Sequence, residues 1–322
     1  MSDAIDLVTG GAGFIGSHLA RALVRVGRRV RVVDDLSTGR RERLADLDRT
    51  IEFIEGDLAA MDLGSALVGV ERVFHLAAIP SVPRSVADPV GSHASVATAT
   101  IRLLQAAKTT GVDRFIYSSS CAVYGDSPES PKRESLPPCP VSPYAVAKLA
   151  GEGYVHVFAQ LHGMRTVSLR YFNVFGPGQD PRSEYAAVIP RFISQALNAE
   201  PLTIYGDGQQ TRDFTYVDNV VDANLRAAAA DVYGGVYNIA DGQAHSLLAL
   251  VRELEAIVGS PLSVRHDDPR PGDIRHSLAD ISAARADLGW SPRVSFSEGL
   301  SRTVAEFRGF DRAQSSERYT SA

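Results

Sequence analysis

The chain has 322 residues, 44% of them hydrophobic and 22% charged, which suits one large α/β unit or two intimately joined lobes with a substantial core. Its net charge of −5 comes without any Lys/Arg block, so neither a nucleic-acid surface nor a membrane-attracting patch is expected. Cys121 and Cys139 are the two cysteines, too few for a zinc site and in keeping with a reducing compartment; with no basic leader before an apolar stretch and no run near the roughly 18 apolar residues of a membrane span, the cytoplasm is expected, and no metal.

The first predicted strand, Ile5 to Thr9, runs directly into Gly10-Gly11-Ala12-Gly13-Phe14-Ile15-Gly16, where Gly10, Gly13 and Gly16 fall three apart ahead of a helical pattern. Small residues there let a pyrophosphate approach backbone N–H groups at a helix N-terminus, where the dipole favours an anion. A second strand, Val30 to Val33, delivers Asp34-Asp35 about twenty residues past the glycines. An acidic group at that point accepts hydrogen bonds from an unphosphorylated ribose and repels a 2′-phosphate, which predicts NAD rather than NADP. Arg40 and Arg41 read as a solvated helix start, with a reach to a phosphate as the alternative.

Ile51 to Glu55 is followed by Gly56-Asp57-Leu58, and Arg72 to Leu76 runs on through Ala77-Ala78, both at strand ends where ligands of open α/β sheets collect. Asp57 reads equally well as a helix cap. Two helical patterns, roughly Ser92 to Thr109 and Ala145 to Leu161, are closed by Gly111 and Gly163 just beyond the last turn. Strands Phe115 to Ser118 and Thr166 to Arg170 complete an alternation that predicts a Rossmann-type, doubly wound parallel sheet covered on both faces. From about Tyr171 the rhythm breaks at Gly176-Pro177-Gly178, Pro181, Pro190 and Pro201, and later at Pro261, Pro269, Pro271 and Pro292. The expected organisation is a cofactor domain over residues 1–170, rejoined at about 210–240, and a smaller, discontinuous substrate lobe over 171–209 and 241–312. A polar tail, expected to be flexible, covers 313–322.

Between the fifth strand and the second long helix lie the residues with chemistry. Ser118-Ser119-Ser120 brings hydroxyls to the rim of the sheet, 24 residues before Tyr144 counted from Ser120. Tyr144 and Lys148 are four apart, hence on one helix face, where a cationic amine can hold a phenol as phenolate near neutral pH. Such a group beside a serine hydroxyl can take the proton of a substrate alcohol while a hydride leaves for a nicotinamide. No Gly-x-Ser-x-Gly elbow surrounds the serines, so a Ser–His–Asp hydrolase is not expected.

With these motifs in order, the chain resembles the extended short-chain dehydrogenase/reductases, and within them the nucleotide-sugar 4-epimerases acting on UDP-glucose or UDP-N-acetylglucosamine. The likeness rests on TGGAGFIGSHLA, DDLSTG, HLAA, SSSCAVYG, SPYAVAK, LRYFNVFGPGQDP, YGDGQQTRDFTYVDN and RPGDIRHSLAD. It implies a catalytic Ser120, Tyr144 and Lys148. It implies NAD contacts at Gly10, Gly13, Phe14, Ile15, Gly16, Asp34, Asp35, Leu36, Ser37, Thr38, Gly39, Asp57, Leu58, Leu76, Ala77, Ala78, Ser118 and Tyr171, besides Tyr144 and Lys148. For a UDP-sugar it implies Asn173, Arg212 and Arg270 at the diphosphate, Asp273 at the uridine ribose, and Thr203 and Tyr205 at the uracil. Ser81, Arg84, Ser120, Ala187, Val188 and Ser277 would surround the sugar.

Related dehydratases carry an Asp-Glu pair where this chain has Cys121 and Ala122, so the resemblance points to epimerisation. Ser277, where a Tyr excludes acetylated sugars, leaves room for an N-acetyl group. Two positions depart from the N-acetyl subgroup: Pro80 stands for its Gly and Val96 for its Asn. A homodimer through the Ser92 to Thr109 and Ala145 to Leu161 helices is implied as well. The alternatives are an epimerase of another sugar nucleotide such as UDP-glucuronate, with Arg84 and Arg191 as carboxylate partners, or a non-catalytic NAD-binding regulator.

Overall fold

The structure, a computed structural model, describes residues 4–181, 187–269 and 274–320. Thirteen strands are described: β1 (Ile5–Thr9), β2 (Arg29–Asp34), β3 (Ile51–Glu55), β4 (Val70–His75), β5 (Arg114–Ser120), β6 (Arg165–Tyr171), β7 (Val174–Phe175), β8 (Leu202–Tyr205), β9 (Thr211–Asp213), β10 (Thr215–Tyr216), β11 (Gly235–Ile239), β12 (Ala244–Ser246) and β13 (Val264–Asp267). Seven form one sheet in the order β11-β6-β5-β4-β1-β2-β3, every neighbouring pair parallel. All five residues of β1 are buried, as expected of a strand with helices on both faces. The chain winds outward from β1 to β3, then returns to pair β4 on the other side of β1. That reversal opens a crevice beyond Thr9, which is in register with both Val33 and His75.

The helix Phe14–Arg25 follows β1 directly. On the opposite face lie Ala99–Thr110, entered through a π-helical turn at Ala94–Thr98, and the long helix Pro143–His162. Ser142 caps the latter by accepting from the Ala145 N–H, and Pro143 begins it, where its missing N–H leaves no bond unmade. Gly111 and Gly163 close their helices at φ 76° and 64°, a conformation that costs a side-chain-bearing residue about 1 kcal/mol or more.

Residues after Tyr171 build a second core. Phe175, Ile189, Phe192, Ile204, Phe214, Leu250, Leu254 and Leu300 are buried together, and Phe214 stacks on Phe296 at 5.5 Å. Parallel β8/β13 and antiparallel β9/β12 frame it beside the helices Val188–Leu197 and Leu247–Val258. Phe14 and Ile15 of the first helix pack against this core, joining it to the glycine loop. The Gln210 to Ala240 segment returns β11 to the edge of the large sheet. Most of the polar stretch expected as a tail from residue 313 is the end of the helix Phe296–Thr320; no Pro or Gly follows Gly309, and polarity alone does not stop a helix.

Candidate active site

A cavity of about 960 Å³ runs along the C-terminal ends of the sheet strands. All twenty residues expected to contact NAD lie on its wall. The glycines divide by task. A Cβ on Gly10, at φ +68°, would stand 2.8 Å from the Ala77 nitrogen, and one on Gly16 would stand 2.1 Å from the Gly10 carbonyl oxygen. Both are demanded by the turn itself. A Cβ on Gly13 would meet only the Gly10 oxygen, at 3.0 Å, and Gly13 leaves the Phe14–Arg25 helix without a side-chain cap. The N–H groups of that first turn therefore remain for an anion in the cavity.

Asp34 is fixed in place. Its Oδ2 accepts from the Ala12 N–H and its Oδ1 from the Leu36 N–H, both at 2.9 Å, and a Cβ on Gly39 would touch the carboxylate at 2.5 Å. Burial raises its pKa while the two backbone donors pull it down. Asp35 Oδ1 accepts from the Ser37 N–H and hydroxyl, and Asp57 Oδ1 from the Ala59 N–H at 2.8 Å, a turn cap on the cavity wall. His75 is structural: Nδ1 and Nε2 pair with the Thr9 and Thr100 hydroxyls at 2.8 and 3.0 Å, and burial pushes its pKa down to about 3.

At the centre of the wall, Lys148 Nζ donates to the Ser118 carbonyl at 2.6 Å and lies 6.0 Å from the centroid of the Tyr144 ring. Lys148 is 2% exposed and Tyr144 9%. Burial pushes the Tyr144 phenol up to about 12, against a hydrogen bond with Ser120 that lowers it. Burial likewise brings the Lys148 amine down to about 7, opposed by Glu152. In both groups burial is the largest influence and opposes the charged form, so positive charge brought into the cavity would favour the phenolate.

The groups expected to bind substrate fall into three sets. Ser120, Asn173 and Ala187 share the cavity with Tyr144 and Lys148. Asn173, at φ 32°, donates from Nδ2 to the Asp213 carbonyl at 3.0 Å, and Ala187 precedes the helix Val188–Leu197, which has no side-chain cap. Val188 packs on the second core.

The second set lies on the strands of the smaller lobe. Thr203 and Tyr205 are on β8, with the Arg191 guanidinium 5.6 Å from the Tyr205 ring centroid. Arg212 is on β9, its Nη1 donating to the Thr211 carbonyl at 2.9 Å, and the Ser277 N–H donates to that same carbonyl at 3.1 Å. That bond sets Ser277, half-buried, beside the Arg212 strand. Ser81 and Arg84 stand apart as the third set: Ser81 caps the short helix Val82–Ala87 by accepting from the Arg84 N–H, and both border a separate small cavity. Arg270 and Asp273 lie outside the described residues. Cys121 and Ala122 line the main cavity, and neither is an acid.

Several wall residues are given no role by the sequence. Arg40 bonds to Asp180 and Arg43 Nη2 donates to the Gly178 carbonyl at 3.1 Å, so the loop after β7 is held against the segment that follows β2, and Arg40, Arg43, Gln179 and Asp180 all reach the cavity. Arg41, by contrast, covers the Phe53 ring at 4.0 Å. Ser95 and Ala99 face the cavity while Val96 is buried with Ala97 and Ala147. Pro80 is also on the wall. Among the described residues no group of three or more His, Cys, Asp or Glu could hold a metal ion, and no helix is long and apolar enough to cross a membrane.

Comparison with known proteins gives consistent similarities. The family model described as the NAD dependent epimerase/dehydratase family matches residues 7–240. A UDP-glucose 4-epimerase of Mycolicibacterium smegmatis is 40% identical over 94% of this chain and 98% of its own length. A solved UDP-N-acetylglucosamine 4-epimerase from Methanobrevibacter ruminantium, in complex with UDP-N-acetylmuramic acid, superposes with a TM-score of 0.92 at 43% identity, covering 96% of this chain and 99% of that one. A UDP-glucuronic acid 4-epimerase from Bacillus cereus, in complex with UDP-glucuronic acid and NAD, gives 0.87 at 36% identity over 95% and 99%.

Proposed function

Since the chain belongs to the NAD dependent epimerase/dehydratase family and is an NAD-dependent enzyme of that family, we propose that it epimerises UDP-sugars at C4. The substrates are UDP-N-acetylglucosamine and UDP-N-acetylgalactosamine, with UDP-glucose and UDP-galactose also accepted. The observation that carries the reading is the Ser120, Tyr144 and Lys148 cluster on a cofactor-sized cavity whose adjoining positions, Cys121 and Ala122, hold no acid for dehydration.

The residues present fit NAD. The uncapped Phe14–Arg25 helix behind Gly13 suits a pyrophosphate, and Asp34, prepositioned by Ala12 and Leu36, suits ribose hydroxyls. When bound, the cofactor supplies the hydride acceptor for C4. The remaining work falls to the chain. Ser120 would hold O4 while Tyr144 takes its proton as hydride leaves C4, and after the 4-keto sugar has turned, Tyr144 would return that proton to O4 as hydride is restored to the opposite face of C4. Lys148 would stabilise the phenolate that must be present before Tyr144 can accept the O4 proton. Asn173, Arg212 and the uncapped helix at Ala187 suit the diphosphate.

Preference for acetylated sugars is supported by the small Ser277 beside the Arg212 strand and by the similarity to the Methanobrevibacter enzyme. A homodimer is supported by exposed Val86, Val90, Val146, Tyr154, Val157 and Leu161 on neighbouring helices, an apolar face of the kind that marks an interface. The two free cysteines are in keeping with a cytoplasmic setting.

The test is incubation of the purified protein, without added reductant, with each of the four UDP-hexoses and UDP-glucuronate. Interconversion of the acetylated pair at the highest kcat/KM is expected; fastest turnover of UDP-glucuronate would overturn the substrate assignment, and no turnover of any would overturn the function.

A further inference from the structure

Behind the catalytic pair sits a buried charge cluster that proton transfer at O4 does not itself use. Glu152 follows Lys148 by one helical turn and is 5% exposed. Its two carboxylate oxygens accept from Arg170 Nε and Nη2 at 2.8 and 2.7 Å, and Oε1 also accepts from the Ser119 hydroxyl. Arg170 is equally enclosed, at 4%, directly opposite Ser119 in the β5/β6 register. Its guanidinium lies 4.7 Å over the Tyr124 ring.

Stability alone is a weak reason for this arrangement. Desolvating two charges costs several kcal/mol, and an apolar pair of similar volume usually serves a core as well or better. What the cluster does uniquely is hold Ser119, the residue between the Ser118 carbonyl that receives Lys148 and the Ser120 hydroxyl that meets Tyr144.

We propose that Glu152, clamped by Arg170, is a positioning residue for the Tyr144 and Lys148 pair: it supplies the counter-charge one turn beyond Lys148, and through Ser119 it fixes the strand end carrying Ser118 and Ser120. The inference rests on the acid–base role given to that pair above. The groups facing Lys148 are Tyr144 and Glu152 on its own helix, Tyr117 and the Ser118 carbonyl from β5, and the neutral His75 from β4. Glu152 is the acidic group that favours its charged form, against burial.

The sequence offers a direct probe, because it contains three lysines, Lys108, Lys132 and Lys148. In the full-length protein with carbon-13-labelled lysine, each side chain titrates as its own resonance, assigned by Lys→Arg replacement. The double variant Glu152→Gln with Arg170→Met removes both charges together and leaves neither unpaired. Its Lys148 midpoint should fall by about one pH unit or more, with kcat down about tenfold or more and KM nearly unchanged. A purely structural pair would instead leave midpoint and kcat as in the parent.

Ser119→Ala, which keeps both charges, guards against a double variant that does not fold. It should lower kcat by about threefold or more at unchanged KM; parental kcat would overturn the clamp. The lysine titration needs no substrate, so a shifted midpoint in a protein that turns over no UDP-sugar refutes the proposed function alone. An unshifted midpoint in an active enzyme refutes the positioning role alone.

Discussion

Lys148 Nζ lies 6.0 Å from the centroid of the Tyr144 ring while its proton is directed to the Ser118 carbonyl at 2.6 Å. The ammonium therefore acts on the phenol through space, across a site from which burial has removed water. Burial pushes the phenol up to about 12, against the Ser120 hydrogen bond that lowers it. A cationic cofactor beside the pair would favour release of the Tyr144 proton.

Tyr144→Phe keeps the ring and removes the proton carrier. Turnover should fall by about 10²–10⁴, while NAD released on denaturation stays at the parental ratio per chain. Retention of more than about a tenth of parental kcat would show that another group moves the proton.

Lys148→Met should raise stability as it abolishes turnover. The folded-state pKa of Lys148 is depressed, to about 7 from 10.5, so the buried charge carries its full penalty below pH 7. That penalty is relieved as pH rises from about 7 to about 10.5, where both folded and unfolded forms become neutral. Thermal melts of Lys148→Met against parent should differ most below about pH 7 and converge towards about pH 10.5. A difference that grows with pH would contradict the sign.

Gly13→Ala and Gly16→Ala should fail in different ways. A Cβ at 13 meets one carbonyl oxygen at 3.0 Å and projects into the cradle, whereas at 16 it would stand 2.1 Å from the Gly10 oxygen and 2.8 Å from the Gly11 Cα. The first variant should fold with parental melting and lose NAD on dialysis; the second should lose roughly 2 kcal/mol or more of stability. Equal melting temperatures for the two would refute this division of tasks.

Ser277→Tyr should spare UDP-glucose and UDP-galactose and reduce kcat/KM for the acetylated pair by about a hundredfold, since bulk at this position competes with the N-acetyl group. Equal loss on all four substrates, measured by product separation, would remove Ser277 from the specificity argument.

The parts of this site that were legible in the sequence are those in which chemistry and local geometry coincide: the glycine spacing ahead of a helix, Asp34 at a strand end, Tyr144 and Lys148 one turn apart. What escaped depends on contacts between distant segments. Arg40 looked like a solvated helix start, and its Asp180 partner is 140 residues away. Ser95 and Ala99 reach the cavity and Val96 the core from a π-helical turn at Ala94–Thr98 that carries no motif of its own. The upward push of burial on the Tyr144 phenol is something no four-residue spacing reports. Glu152 was visible only as another helical residue until β6 brought Arg170 against it.

The most direct test follows deuterium placed at C4 of UDP-N-acetylglucosamine through one turnover. If the hydride is held in the closed site and returned to the same sugar, the UDP-N-acetylgalactosamine formed keeps the deuterium at C4, without added NAD or reductant and with nothing lost to water. Loss of the label to solvent, or conversion that requires added reductant, would contradict it.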